Sequence, residues 1–201
     1  MRDGNTISNI VLGILEKQLK LDPGTMTDCH RLEDPSHSFL RILRYPGLKA
    51  GISLDRPRFF AHRDIVTLAI LFTWVGGFQI PMENAEMIGP DLETEESWRW
   101  VQPLDGLALV NLGDAMPIFT NNRLKSGKHR VFTAPGEQAR LDRCSVLVST
   151  RPANKTPMKT FKSPLIPETV SEQATAEVKT SKQWGDDCVK TFIAVELKGK
   201  A

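Results

Sequence analysis

Cysteine is scarce in this chain. Its 201 residues contain three, Cys29, Cys144 and Cys188, far apart and odd in number. A disulfide scaffold needs an even, dense set and a zinc ribbon needs close pairs, so both are excluded. Reduced thiols in a cytosolic protein are expected. An excess of charge is also missing: 26 Lys+Arg stand against 24 Asp+Glu, a formal charge of +2. Nucleic-acid binding relies on a concentrated basic face, and no basic cluster interleaved with aromatics is present, so no nucleic-acid partner is expected. One uncharged run, Ile65 to Met82, reaches the minimum length of a membrane span. It contains Gly76-Gly77, Gln79 and Pro81, which favours strand–turn–strand, and the polar start Met1-Arg2-Asp3-Gly4-Asn5 does not read as a signal peptide. No membrane partner is expected.

What is present suits a soluble globular domain: 40% hydrophobic and 25% charged residues. Ile7, Ile10, Val11, Ile14, Leu15 and Leu19 recur at helical spacing and predict an amphipathic first helix, stopped by Asp22-Pro23-Gly24. Leu40–Tyr45 reads as a strand. Short β-rich runs follow at Ile65–Phe72, Phe78–Ile80, Leu107–Leu112, Arg130–Thr133 and Cys144–Thr150, with turns at Val75-Gly76-Gly77, Asp105-Gly106 and Pro135-Gly136. Many short strands with such turns predict a sandwich or barrel. The acidic stretch 83–97 reads as a surface loop. A last helix is expected to put Trp184, Cys188, Phe192 and Val195 on one face, capped by Thr180 or Ser181 and ending before Gly199.

Of four histidines, His30 and His37 read as hydrogen-bonding or surface residues. His62 differs, because Ala61-His62-Arg63-Asp64 heads a strand-like run and period-two alternation points His62 and Asp64 to one face. With His129 as third member they form a two-histidine, one-carboxylate set, which suits non-haem Fe(II) on one octahedral face. Arg143-Cys144-Ser145 places a guanidinium and a hydroxyl on one face of a strand, a receptor for a carboxylate. The plainer alternative pairs Arg143 with Asp142 at the surface. Cys144, opposite, reads as buried packing. Asn111, Gly113 and Asp114 read as a turn and strand end, Asn121, Asn122 and Arg123 as cleft or surface turn, and Trp74, Trp98, Trp100 and Phe119 as core or pocket wall.

These motifs carry a resemblance. Leu43-Arg44-Tyr45-Pro46, Ala61-His62-Arg63-Asp64, Val75-Gly76-Gly77-Phe78-Gln79-Ile80, Val110-Asn111-Leu112-Gly113-Asp114, the Thr120–Ser126 run, His129-Arg130-Val131 and Arg143-Cys144-Ser145 stand in the order of one family. The chain resembles the Fe(II)/2-oxoglutarate-dependent oxygenases related to isopenicillin N synthase, and looks most like the fungal members that act in secondary-metabolite pathways. The resemblance implies a mainly β fold with flanking helices around a double-stranded β-helix, or jelly-roll, core. It implies Fe(II) on His62, Asp64 and His129, and Arg143, Ser145 and Tyr45 on the co-substrate 2-oxoglutarate. It also implies O2 as oxidant, ascorbate as a stimulant, and a small-molecule substrate that is hydroxylated, desaturated or rearranged in the cytoplasm. Leu43 stands where many plant relatives carry asparagine. Two neutral imidazoles and a carboxylate leave an Fe(II) site with about one positive charge, dianionic 2-oxoglutarate over-neutralises it, and Arg143 answers the remainder.

The resemblance divides the chain into 1–36, an N-terminal helix and connection; 37–152, the jelly-roll oxygenase domain; and 153–201, a polar connecting segment and C-terminal helix. Members of the family are longer, and this chain begins inside what resembles their long helix, so the N-terminal part of the family fold is expected to be missing. The alternative is a truncated, non-catalytic remnant or a subunit whose barrel is completed by a partner, as a homo- or heterodimer. An unpaired edge strand and an exposed apolar helix face are then expected.

Overall fold

The computed structural model describes residues 1–49, 51, 52, 54, 57–82, 97–168 and 177–198, with side chains of the last helix described as far as Phe192. The acidic loop expected at 83–97 lies outside the described residues except for Ser97, as does the Val195 side chain. Among the described residues there are two four-stranded antiparallel sheets. The strands are β1 (Phe39–Tyr45), β2 (Phe59–His62), β3 (Leu68–Thr73), β4 (Phe78–Pro81), β5 (Trp98–Trp100), β6 (Leu109–Leu112), β7 (His129–Val131) and β8 (Arg143–Thr150). The first sheet runs β1-β8-β3-β6 and the second β2-β7-β4-β5. This is the sandwich that the pattern of short strands predicts and the jelly-roll core that the resemblance implies, flanked by helices α1 (Arg2–Gln18), α2 (Ala115–Phe119) and α3 (Ser181–Lys198).

Alternation along the strands explains the interior. Leu71, Phe78 and Val131 are buried between the sheets, with Tyr45, Phe59, Leu109 and Leu147 packed against them. The turn between β3 and β4 needs Gly77: its φ is +108°, and a Cβ there would meet the Phe132 carbonyl oxygen at 2.6 Å, a backbone region open to glycine alone at low cost.

α1 forms where the sequence predicts a helix, but it turns a different face inward. Gly4, Ser8, Leu12 and Glu16 are buried, whereas Ile7, Ile10 and Ile14 are 37%, 58% and 55% exposed. The cause is close approach. Gly4 lies directly over Val148, the Ser8 and Thr150 hydroxyls share a 2.7 Å hydrogen bond, and Glu16 accepts from the backbone N–H groups of Gly24, Met26 and Thr27. An acid that looks like a break in an apolar stripe is thus a buried cap on the turn that follows. Leu12, Leu19, Leu21, Met26, Met116 and Ile166 complete that core. β1 is an edge strand, and Ile42 on its outer face is 70% exposed.

Other expectations are partly corrected and partly met. Cys144 is exposed, because α1 covers the outer face only toward Val148. Trp74 and Trp100 are 66% and 43% exposed and line neither core nor cavity, whereas Trp98 and Phe119 are buried. Asn121 and Asn122, at φ 43° and 63°, form a turn behind α2 in which Asn121 Nδ2 donates to the Pro167 and Glu168 carbonyls. The helical start at Thr180 is a reciprocal cap: Thr180 N–H donates to Gln183 Oε1 and Gln183 N–H to Thr180 Oγ1. Among the described residues no helix is long and apolar enough to cross a membrane.

Candidate metal centre and co-substrate pocket

His62 ends β2 and His129 opens β7, and the two are paired in register. Asp64 is not on the same strand as His62, as the alternation argument expects. It lies in the connection that leaves the second sheet at His62 and enters the first at Leu68. That connection is pinned against the end of β6: Asp114 N–H donates to the Asp64 carbonyl at 2.9 Å, and Ala115 N–H to that of Val66 at 3.1 Å. Gly113 makes the approach possible, since a Cβ would collide with the Val66 and Asp64 carbonyl oxygens. Its turn role in the sequence reading is therefore also what seats Asp64.

The three side chains converge. One ligand atom from each lies within 4.8 Å of the others, with His62 Nε2 at 3.4 Å from Asp64 Oδ1 and His129 Nε2 at 3.8 Å from Asp64 Oδ2. Both rings turn Nδ1 to a backbone carbonyl, His62 to Phe60 at 2.9 Å and His129 to Gly127 at 3.1 Å. A carbonyl only accepts, so Nδ1 carries the proton, and in the neutral rings each Nε2 presents a lone pair toward the carboxylate. Burial lowers the His129 pKa; Asp64 opposes this and His62 reinforces it, leaving it below its ordinary value. Burial raises the Asp64 carboxyl, whereas a proton taken up on the His62 or His129 Nε2 and the Asn111 amide lower it, for a net shift below the ordinary range. Three electron-pair donors facing one point repel one another, and a divalent cation relieves this; the donor set fits one.

Asn111 lies at a strand end, as its sequence suggests, but its contact with the metal-fitting group is not expected from the sequence. It is on β6, and its Nδ2 donates to Asp64 Oδ2 at 2.8 Å. The available signal was its alternation with Leu112, which puts it on the inner face beside Asp64.

Arg143 opens β8 directly opposite Tyr45. Asp142 does not take it: that carboxylate holds Arg44 at 2.6 Å and the Gly47 N–H at 2.9 Å. Arg143 turns inward instead, is 4% exposed, donates from Nε to the Gly76 carbonyl at 3.0 Å, and lies 5.6 Å from the Tyr45 ring centre. Its Nη2 is buried without a hydrogen-bond partner. Such an orphaned cationic donor is costly unless a ligand answers it. Ser145, 2% exposed, lies two residues on along the same face. A cavity of about 400 Å³ touches all six sequence-predicted residues: His62, Asp64, His129, Arg143, Ser145 and Tyr45.

A jelly roll with a metal-fitting group and a buried, unanswered guanidinium on one cavity is the arrangement that a metal ion and a carboxylate ligand would suit. The model of the 2OG-Fe(II) oxygenase superfamily matches residues 37–152, more than half of the chain, and the chain belongs to that superfamily. The oxygenases related to isopenicillin N synthase, which its motifs resemble, lie within the same superfamily. Fe(II) and 2-oxoglutarate are the superfamily's cofactor and co-substrate. A 2-oxoglutarate-dependent dioxygenase of Aspergillus fumigatus is 50% identical over 96% of this chain and 52% of its own length. A 2-oxoglutarate-dependent dioxygenase of Amanita muscaria, iboH, is 27% identical over 92% of this chain and 79% of its own. The chain thus spans about half the length of the Aspergillus relative. The fold is also that of a full-length Neurospora crassa protein whose crystal structure was solved in complex with alpha-KG, with TM-score 0.72, 22% identity and coverage of 90% of this chain and 52% of that one.

Proposed function

We propose that this chain is an Fe(II)- and 2-oxoglutarate-dependent oxygenase acting on a C–H bond of a small organic molecule in fungal secondary metabolism, by hydroxylation, desaturation or rearrangement. The observation that carries the reading is the pairing, on one cavity, of the His62–Asp64–His129 group with the buried, partnerless Nη2 of Arg143. Iron and the keto acid, when bound, would supply the activation of O2: O2 is the oxidant, and the keto acid gives up two electrons and leaves as succinate and CO2. The chain's own residues do the positioning. His62 and His129, held by the Phe60 and Gly127 carbonyls, present their Nε2 lone pairs, and Asp64, held by Asn111, supplies the anionic ligand. Arg143 and Ser145 receive the far carboxylate of the diacid, and Tyr45 backs the guanidinium. Leu71, Phe78 and Val131 line the cavity with apolar surface that excludes water.

Anaerobic titration of the chain with Fe(II) and 2-oxoglutarate tests this. A weak visible charge-transfer band is expected from the chelated centre, and Arg143→Met is expected to raise the 2-oxoglutarate concentration needed for it by about 100-fold, the loss of a bidentate charge-assisted pair. A folded chain that gives no band overturns the proposal, and so does an Arg143→Met variant that titrates like the wild type.

A further inference from the structure

The inward face of β8 carries a guanidinium at each end. Arg143 opens it, and Arg151 follows its last residue, with Ser145, Leu147 and Ser149 between them on the same cavity wall. Eight residues at roughly 3.3 Å each put about 26 Å of strand between the two positions, so the far carboxylate held at Arg143 does not also answer Arg151. The reaction proposed above gives Arg151 no role.

Its placement is specific. The guanidinium lies under α3 at Gly185, where a Cβ would come within 3.2 Å of Nη1, so the absence of a side chain at that helical position makes room for it. Nε is buried without a hydrogen-bond partner. Burial works against its charge, which the carboxylates of Asp186 and Asp64 favour only in part; Asp186 is engaged by Lys182 at 2.7 Å, and Asp64 belongs to the metal-fitting group. Arg41, also on the cavity, lies over the Phe39 ring at 4.8 Å on the open edge of β1. Among the described residues lining the cavity Asp64 is the only acid, and beside Arg151 the wall is apolar: Ile65, Val66, Val189 and Phe192. A half-buried fork with an unanswered donor, a second cation at the mouth and an apolar wall suit an anion with a hydrocarbon body.

We propose that Arg151, with Arg41 outside it, binds the carboxylate of the primary substrate, an apolar monocarboxylic acid whose hydrocarbon body reaches toward His62, Asp64 and His129. The proposal rests on the oxygenase reading of this cavity and supplies its substrate class.

Calorimetric titration of the chain with 3-phenylpropanoate and with neutral 3-phenylpropanamide, each with and without Mn(II) and 2-oxoglutarate, tests it. The acid is expected to bind about tenfold or more tightly than the amide, the weight of a charge-assisted pair. Arg151→Gln abolishes that preference and Arg151→Lys restores part of it, while the Fe(II)–2-oxoglutarate band stays as in the wild type. Gly185→Leu, which fills the gap under α3, gives the same loss without touching the arginine. No binding of the acid, equal binding of acid and amide, or a preference that survives in Arg151→Gln and Gly185→Leu overturns the inference. Acid preference in a wild-type chain that forms no band removes the iron reading and supports the anion site alone.

Discussion

Asn111→Ala isolates one contact of the proposed metal centre. Asp64 has two oxygens with different company: Oδ1 faces His62 Nε2 at 3.4 Å, while Oδ2 faces His129 Nε2 at 3.8 Å and accepts from Asn111 Nδ2 at 2.8 Å. The amide is the shortest of these contacts and comes from β6, in the other sheet from both histidines. Removing it frees the carboxylate to rotate. A hydrogen bond to a charged acceptor contributes about 1.5–3 kcal/mol, which is about 10- to 150-fold in a binding constant. Losing a contact that orients a metal ligand costs about 10- to 100-fold in metal affinity by comparison with other sites. Asn111→Ala is therefore expected to weaken Co(II) or Mn(II) binding by about 10- to 100-fold, read by competitive titration under argon, with an unchanged far-ultraviolet dichroism spectrum. A folded variant with wild-type metal affinity would refute the assignment of Asp64 as a ligand held from β6.

Two further predictions concern stability. Burial, opposed by the Met26 carbonyl and by Glu16, pushes the His30 imidazole down to about 4; it sits between Met26 O and Thr67 Oγ1, each at 2.7 Å. The unfolded chain takes up that proton near pH 6.5 and the folded chain does not, so the contribution is complete above about pH 6.5 and drains away as pH falls toward 4, by about 3 kcal/mol in all. Urea midpoints at pH 7 and 4.5 should converge in His30→Gln, and an unchanged pH slope in that variant would contradict the account. Gly77→Ala combines a φ of +108° with a 2.6 Å collision at the Phe132 carbonyl and should cost more than about 1–3 kcal/mol. Gly106→Ala, at φ +74° in open space, should cost only about 1–2 kcal/mol, and equal losses of thermal stability in the two would show that the collision is relieved.

How much of this was legible in the sequence depended on whether the information was local. Period-two alternation along β8 put Arg143 and Ser145 on one face, and they share it, because a strand's side-chain period survives whatever packs against it. The same rule applied to His62 and Asp64 brought them together for the wrong reason: the strand ends at His62, and the chain crosses between sheets before Leu68. α1 shows the opposite failure. Its period was right, but its buried face was chosen by Gly4 lying on Val148, Ser8 reaching Thr150, 142 residues away, and Glu16 capping residues 24–27. Of the six apolar residues at helical spacing, Leu19 is buried and Val11 and Leu15 pack against the core, whereas Ile7, Ile10 and Ile14 are exposed. Asn111 escaped for a related reason, since an asparagine just ahead of Gly113-Asp114 reads locally as a strand end leading into a turn, and its partner Asp64 lies 47 residues earlier.

The position of the candidate metal group follows from the same crossing. His62 and His129 belong to paired strands of the second sheet, while Asn111 belongs to the first, and Asp64 lies on the segment joining them. The two histidines are thus fixed by one hydrogen-bonded ladder, and the carboxylate by the seam at Gly113 and Asp114. A cation seated there would join both sheets at the end of the sandwich where Arg151 and α3 lie. Its binding free energy would then act as closure energy for that end, because a ligand held only by the assembled state stabilises that state. The group that the chemistry needs therefore sits at the crossing between the two sheets, and Asn111, donating from one sheet to the carboxylate that faces both histidines of the other, is a side-chain contact that spans them without a cation.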